Sequence, residues 1–122
     1  MTGQVADKLR AELVRVAEGG APGAEHAATA LGDGPVGQRL RAAILALAGH
    51  RGPDSSTCPS DAARAVGGEN WRDLMADARD LARELAKSGE VDITQRGEVL
   101  DPDSLWRGPI RIRIVPTDEE CQ

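Results

Sequence analysis

The chain has 122 residues and a hydrophobic fraction of 40%, which allows one domain with one modest core. No stretch approaches the roughly 20 apolar residues of a membrane span, and the polar run Met1–Arg10 lacks the pattern of a secretion signal, so a cytoplasmic protein without membrane contact is expected. Cys58 and Cys121 give no disulfide framework, and with Trp71 and Trp106 as the only aromatics, stacking on single-stranded bases has almost no platform.

In chain order, Thr2 is placed to cap a first helix running to about Glu18. Its residues Val5, Leu9, Leu13 and Val16 recur at helical spacing before Gly19-Gly20. A break at Ala21-Pro22-Gly23 is followed by a short Ala-rich helix, Ala24 to Leu31, and by the turn Gly32-Asp33-Gly34-Pro35. Residues 1–35 thus read as a helical arm attached to a main domain. Its apolar stripe Val5, Leu9, Leu13 and Val16 must be buried, either by folding back over its own core or by packing on a second copy in a homodimer, and fold-level analogy favours the dimer slightly.

The next helix, Val36 to about Gly49, places Val36, Leu40, Ala43, Ile44 and Leu47 on one side, with Leu45 pointing the other way. After the polar loop Asp54-Ser55-Ser56-Thr57, Pro59 suits the first turn of a helix that ends at Gly67-Gly68. Asn70 then reads as the N-cap of a long helix from Trp71 to about Ser88, burying Trp71, Leu74, Ala78, Leu81 and Leu85. From Val91 the period changes to 2: Val91 and Ile93 alternate with Asp92 and Thr94, and Ile110, Ile112 and Ile114 with Arg111 and Arg113. The expected fold is α+β: a winged helix at 36–115, with a three-helix helix-turn-helix core and a C-terminal β-hairpin wing, preceded by the arm and followed by an acidic tail at 116–122.

The runs Thr57-Cys58-Pro59-Ser60-Asp61-Ala62-Ala63-Arg64-Ala65-Val66, Trp71-Arg72-Asp73-Leu74-Met75, Ile93-Thr94-Gln95-Arg96-Gly97 and Arg107-Gly108-Pro109-Ile110-Arg111 resemble a bacterial family, domain-of-unknown-function family 3253. The resemblance covers about Gly37 to Ile114. It implies a winged-helix-like fold and supplies no activity, cofactor or catalytic residue.

The net charge of -5 is unevenly spread. The arm and the tail are acidic, whereas 36–115 is balanced, so total charge does not decide whether the domain meets a polyanion. On the Trp71–Ser88 helix Arg72, Arg79, Arg83 and Lys87 fall on one stripe, and Asp73, Asp77, Asp80 and Glu84 on the adjoining one. Like charges four apart cost an isolated helix about 0.2–0.5 kcal/mol per pair, so something outside the helix should compensate. DNA phosphates or guanine edges could meet the basic stripe; a solvated face softened by Asp80/Arg83 and Glu84/Lys87 accounts for it equally well.

Arg111 and Arg113 share the outer face of the last strand, with Arg96 and Arg107 flanking the wing loop. They suit a nucleic-acid backbone, or cross-strand pairing such as Asp92 with an arginine. Ser55, Ser56, Thr57 and Ser60 surround a helix N-terminus where a phosphate would be favoured, although ordinary capping uses the same residue types. Cys58 has no base near it in sequence, and neither a metal site nor a cofactor motif is present, so no enzyme is expected. The leading expectation is a binding module contacting duplex DNA through the basic stripe and the wing arginines. The alternative is a protein-interaction module without DNA contact.

Overall fold

The computed structural model describes residues 3–19, 23–104 and 106–115. Thr2, the side chain of Val5, the break at 20–22, and the tail with Cys121 lie outside the described residues. The helices are α1 (Gly3–Glu18), α2 (Ala24–Leu31), α3 (Val36–Arg51), α4 (Pro59–Gly67) and α5 (Met75–Lys87), with a 3-10 helix over Gly68–Leu74. The strands β1 (Val91–Gln95), β2 (Glu98–Val99) and β3 (Arg111–Ile114) form an antiparallel sheet in the order β2-β1-β3. The fold is α+β and its order of elements is compatible with a winged helix. No helix among the described residues is long and apolar enough to cross a membrane.

Helix α3 lies at the centre. Leu40 and every residue from Ala42 to Ala48 are buried, so this helix is apolar around its whole circumference rather than along one stripe. One side is covered by the arm: Leu9, Leu13 and Val16 of α1 and Ala27 and Ala30 of α2 belong to the same core as Ile44, Ala63, Leu85 and Ile112. The arm's stripe therefore takes the fold-back destination, and a homodimer through Leu9, Leu13 and Val16 would require it to leave that core. Leu45, expected to point away, is 5% exposed and belongs to the same core, because α3 is covered on more than one side. Val36 is the reverse case: expected inside, it is 44% exposed at the first turn of α3.

The expected long helix from Trp71 is two pieces. Asn70 sits at φ -94, ψ 17 inside the 3-10 segment instead of capping an α-helix. With three residues per turn in place of 3.6, that segment rotates Trp71 off the apolar face of α5. Trp71 is thus only partly buried, against the expectation of a core residue, and the buried indole is Trp106. The joint is tight, since a Cβ at Gly67 would lie 2.8 Å from Leu74 Cδ1.

In the sheet, β1 pairs with β3 through Val91↔Ile114, Asp92↔Arg113, Ile93↔Ile112 and Thr94↔Arg111. Apolar partners face the helices and polar partners face outward. The two-residue turn Arg96-Gly97, with φ of 53 and 85, joins β1 to the short β2, which the alternation had not revealed. Thr57 makes an isolated antiparallel bridge to Ile112, exchanging backbone hydrogen bonds of 2.8 and 2.6 Å, and so ties the loop before α4 to β3.

Leu13, 1% exposed, reports whether the arm belongs to the core. Leu13→Ala is expected to cost about 2–5 kcal/mol in chemical denaturation. A chain beginning at Pro35 should lose cooperative thermal unfolding by circular dichroism; a fully cooperative melt would show that the arm is dispensable.

Candidate functional site

The anchor of the loop before α4 is Arg51, at the C-terminal end of α3. Its guanidinium donates to both carboxylate oxygens of Glu12 in α1, at 3.0 and 3.2 Å, and also to Asp61 Oδ2 at 3.0 Å and to the Ser56 carbonyl at 3.2 Å. Asp61 Oδ2 in turn accepts from the Thr57 hydroxyl at 2.7 Å and from the Cys58 N–H, while Cys58 Sγ accepts from the Asp61 N–H. This is a capping box with cysteine as the N-cap. Burial opposes ionisation of Asp61, but the Thr57 hydrogen bond and the Arg51 charge outweigh it and hold the carboxyl below its usual range. The hydrogen bond to Glu12 is the largest effect holding Arg51 in its charged form. Glu12, Arg51 and Asp61 were missed from sequence; the signal available was Asp61 three residues after the cap position.

This network separates the four residues expected to position a phosphate. Thr57 is fully buried and engaged with Asp61, and Ser60 lies 2.9 Å from Cys58 Sγ. Ser55 and Ser56 instead turn to the outer face of the sheet. There they line an open cleft of about 350 Å³ with Pro53, Asp54, Thr94 and Arg113. Arg111 stands beside it, donating to the Ser56 hydroxyl at 2.9 Å and to its carbonyl at 3.0 Å. Two groups of residues some 55 positions apart in sequence are thus brought together. Arg113 pairs with Asp92, its direct cross-strand partner, at 3.2 Å, as strand alternation allowed.

The basic stripe of α5 has a different destination. Arg79 donates to the carbonyls of Gly108 and Trp106, and Arg83 to those of Ser104, at 2.7 Å, and Pro102. The Arg83 guanidinium lies 4.1 Å from the centroid of Trp106, whose indole N–H donates to the Asp101 carbonyl at 3.0 Å. Lys87 pairs with Asp103 at 3.1 Å rather than with Glu84. The loop 101–109 is thereby lashed to α5 by three cations, and Gln95 secures its far end through the carbonyls of Arg107 and Pro109. The carbonyls and Asp103 compensate the basic stripe, whereas the acidic stripe has no ion pair among the described residues. Asp73, Asp77, Asp80 and Glu84 remain exposed.

Of the other candidate cations, Arg72 is exposed with its guanidinium 4.7 Å from the Trp71 centroid, and Arg64 lies 4.3 Å from the same ring. Arg96 at the β1–β2 turn and Arg107 in the loop are exposed, with no ion pair among the described residues.

A family model described as "Protein of unknown function (DUF3253)" matches residues 37–115, which holds α3 to β3 entire apart from the first residue of α3. No curated protein matches the chain.

The Asp61 carboxyl gives a pH dependence. Its folded-state pKa is lowered, so its contribution to stability is complete above the unfolded value of about 4 and is lost as pH falls through the folded one. Melting temperatures should be insensitive to this group between about pH 5 and 8. Below about pH 4 the parent should lose stability more steeply than Asp61→Asn, and parallel curves would refute the assignment. For the loop, Arg83→Met should speed amide exchange at Asp103 and Ser104 and move the Trp106 emission to the red.

Proposed function

The chain belongs to the DUF3253 family over residues 37–115, and from the placement of its charges we propose that it is a winged-helix protein-docking module whose α5 meets a cationic protein surface rather than duplex DNA. The observation that carries this reading is the intramolecular use of Arg79 and Arg83, which are spent on carbonyls of the loop 101–109, with Lys87 paired at the surface with Asp103. A helix laid in a major groove brings its outward side chains to within reach of phosphates and base edges. On α5 the outward positions are Asp77, Asp80 and Glu84, which repel a polyanion, and withdrawing the cations from loop 101–109 would break the hydrogen bonds that hold it. Of the exposed candidate cations, Lys87 and Arg111 are engaged with Asp103 and Ser56, and Arg72, Arg96 and Arg107 have exposed acids near them in sequence at Asp73, Glu98 and Asp101. Winged helices serve protein docking as readily as DNA binding, so the fold itself is neutral between the two.

Fluorescence anisotropy with a labelled duplex at about 50 mM salt should show no saturable binding, because phosphate-driven association is strongest when salt is low. Binding with a steep salt slope, abolished in Arg72→Gln/Arg96→Gln/Arg107→Gln, would overturn the proposal. An oligolysine peptide serves as the positive probe: neutralising Asp77, Asp80 and Glu84 together should weaken it more than neutralising the exposed Glu18, Glu25 and Asp33 of the arm region.

A further inference from the structure

We propose that the cleft on the outer face of the sheet is an oxyanion site, formed by Thr94, Ser55, Ser56 and Arg113, for the phosphate or carboxylate group of a small ligand. The decisive residue is Thr94. It is 8% exposed, lines the cleft, and its hydroxyl has no hydrogen-bond partner among the described residues. No buried side-chain oxygen or nitrogen among them is left orphaned, so this hydroxyl keeps its contact with solvent through the cleft. With solvent in place of a protein partner, this hydroxyl is free to donate to a ligand oxygen that displaces water from the cleft.

The other walls are donors too. Ser55 is exposed at the rim with its hydroxyl free of partners among the described residues. The Ser56 hydroxyl already accepts from Arg111, which directs its own proton elsewhere. Arg113 spends one N–H on Asp92 and has four more in a planar fork that suits two oxygens of one anion. Asp54 is the single carboxylate among the lining residues, and it is exposed. A cation site would need several such acceptors; three hydroxyls and a guanidinium fit an anion. Asp54 then acts against the ligand, which limits affinity and makes its removal informative.

The geometry is held in advance. Ser56 is fixed by its carbonyl, which accepts from both Arg51 and Arg111, and Thr94 and Arg113 stand on paired strands. Binding therefore has little ordering cost. The site uses no residue of α5, so this proposal and the α5 docking proposal can each fail alone.

The test is a titration of the intact chain with inorganic phosphate, and separately with acetate, at low chloride, followed by amide NMR shifts. Saturable shifts confined to Ser55, Ser56, Thr94 and Arg113 and their neighbours are expected, and whichever anion binds more tightly identifies the class. Thr94→Val keeps the shape and removes the hydroxyl, and Arg113→Gln removes the fork; each should weaken binding about tenfold. Asp54→Asn, at an exposed position that leaves the fold undisturbed, should tighten it about threefold. The absence of saturation with both anions would overturn the proposal. So would affinities that Thr94→Val and Asp54→Asn leave unchanged.

Discussion

Helix α3 is the constraint on which the rest of the structure depends. Its central stretch Ala42–Ala48 is apolar on every side and rich in alanine, and such a stretch is stable only when other elements surround it. With two tryptophans and no other aromatics, the core cannot fill wide gaps and must bring helices close through small residues. The helices α4 and α5 and the sheet cover part of α3, and what they leave open is closed by α1 and α2. The arm is thus a requirement of α3, fastened at the C-terminal end of α3 by the Arg51–Glu12 pair and near its N-terminal end by the partly buried Arg39, which donates to the Ala30 carbonyl of α2.

Charge is the second organising fact. Sorting like charges onto adjoining stripes of α5 is unfavourable for a helix in isolation, and loop 101–109 resolves it by offering carbonyls, an indole face and Asp103. The loop gains order in return, since its backbone acceptors have few partners of their own. Spending the cations in this way leaves α5 with an acidic outer surface, so the mechanism that orders the wing region also sets the kind of partner the helix can meet.

The sequence disclosed those features that depend on local chemistry. Pro59 at a first helical turn, the Ala24–Leu31 helix and the alternation around Val91 and Ile112 each lie where local rules put them. The features that escaped depend on contacts distant in sequence. Trp71 looked like a core residue because its hydrophobicity fits an α-helical period, and the 3-10 segment that displaces it is accompanied by a close approach of Leu74 to Gly67. Leu45 seemed misplaced because a wheel drawn for one buried face cannot show a second covering layer. Arg79, Arg83 and Lys87 read as candidate DNA contacts because a stripe is visible in sequence, whereas the carbonyls that receive Arg79 and Arg83, about 20 to 30 residues later, and the Asp103 carboxylate that receives Lys87 are not.

The expected phosphate-positioning group divided for a physical reason that bears on the cleft. Thr57 continues the sheet by pairing with Ile112, and a residue held in a backbone bridge at the sheet edge turns its neighbours to alternate sides. Thr57 therefore points inward to Asp61, and Ser56 outward to Arg111. The same bridge that removes Thr57 from solvent is what delivers Ser56 to the outer face beside Thr94 and Arg113. Glu12, Arg51, Ser56 and Arg111 then form a continuous chain of hydrogen bonds from the arm to the cleft wall. A cleft built on so many shared contacts is rigid, and rigid donors convert binding into affinity with less loss than mobile ones. The Arg51 guanidinium consequently couples the arm to the shape of the cleft, beside the Arg39 and Arg10 hydrogen bonds that also hold the arm and the Arg111 contacts that also hold Ser56.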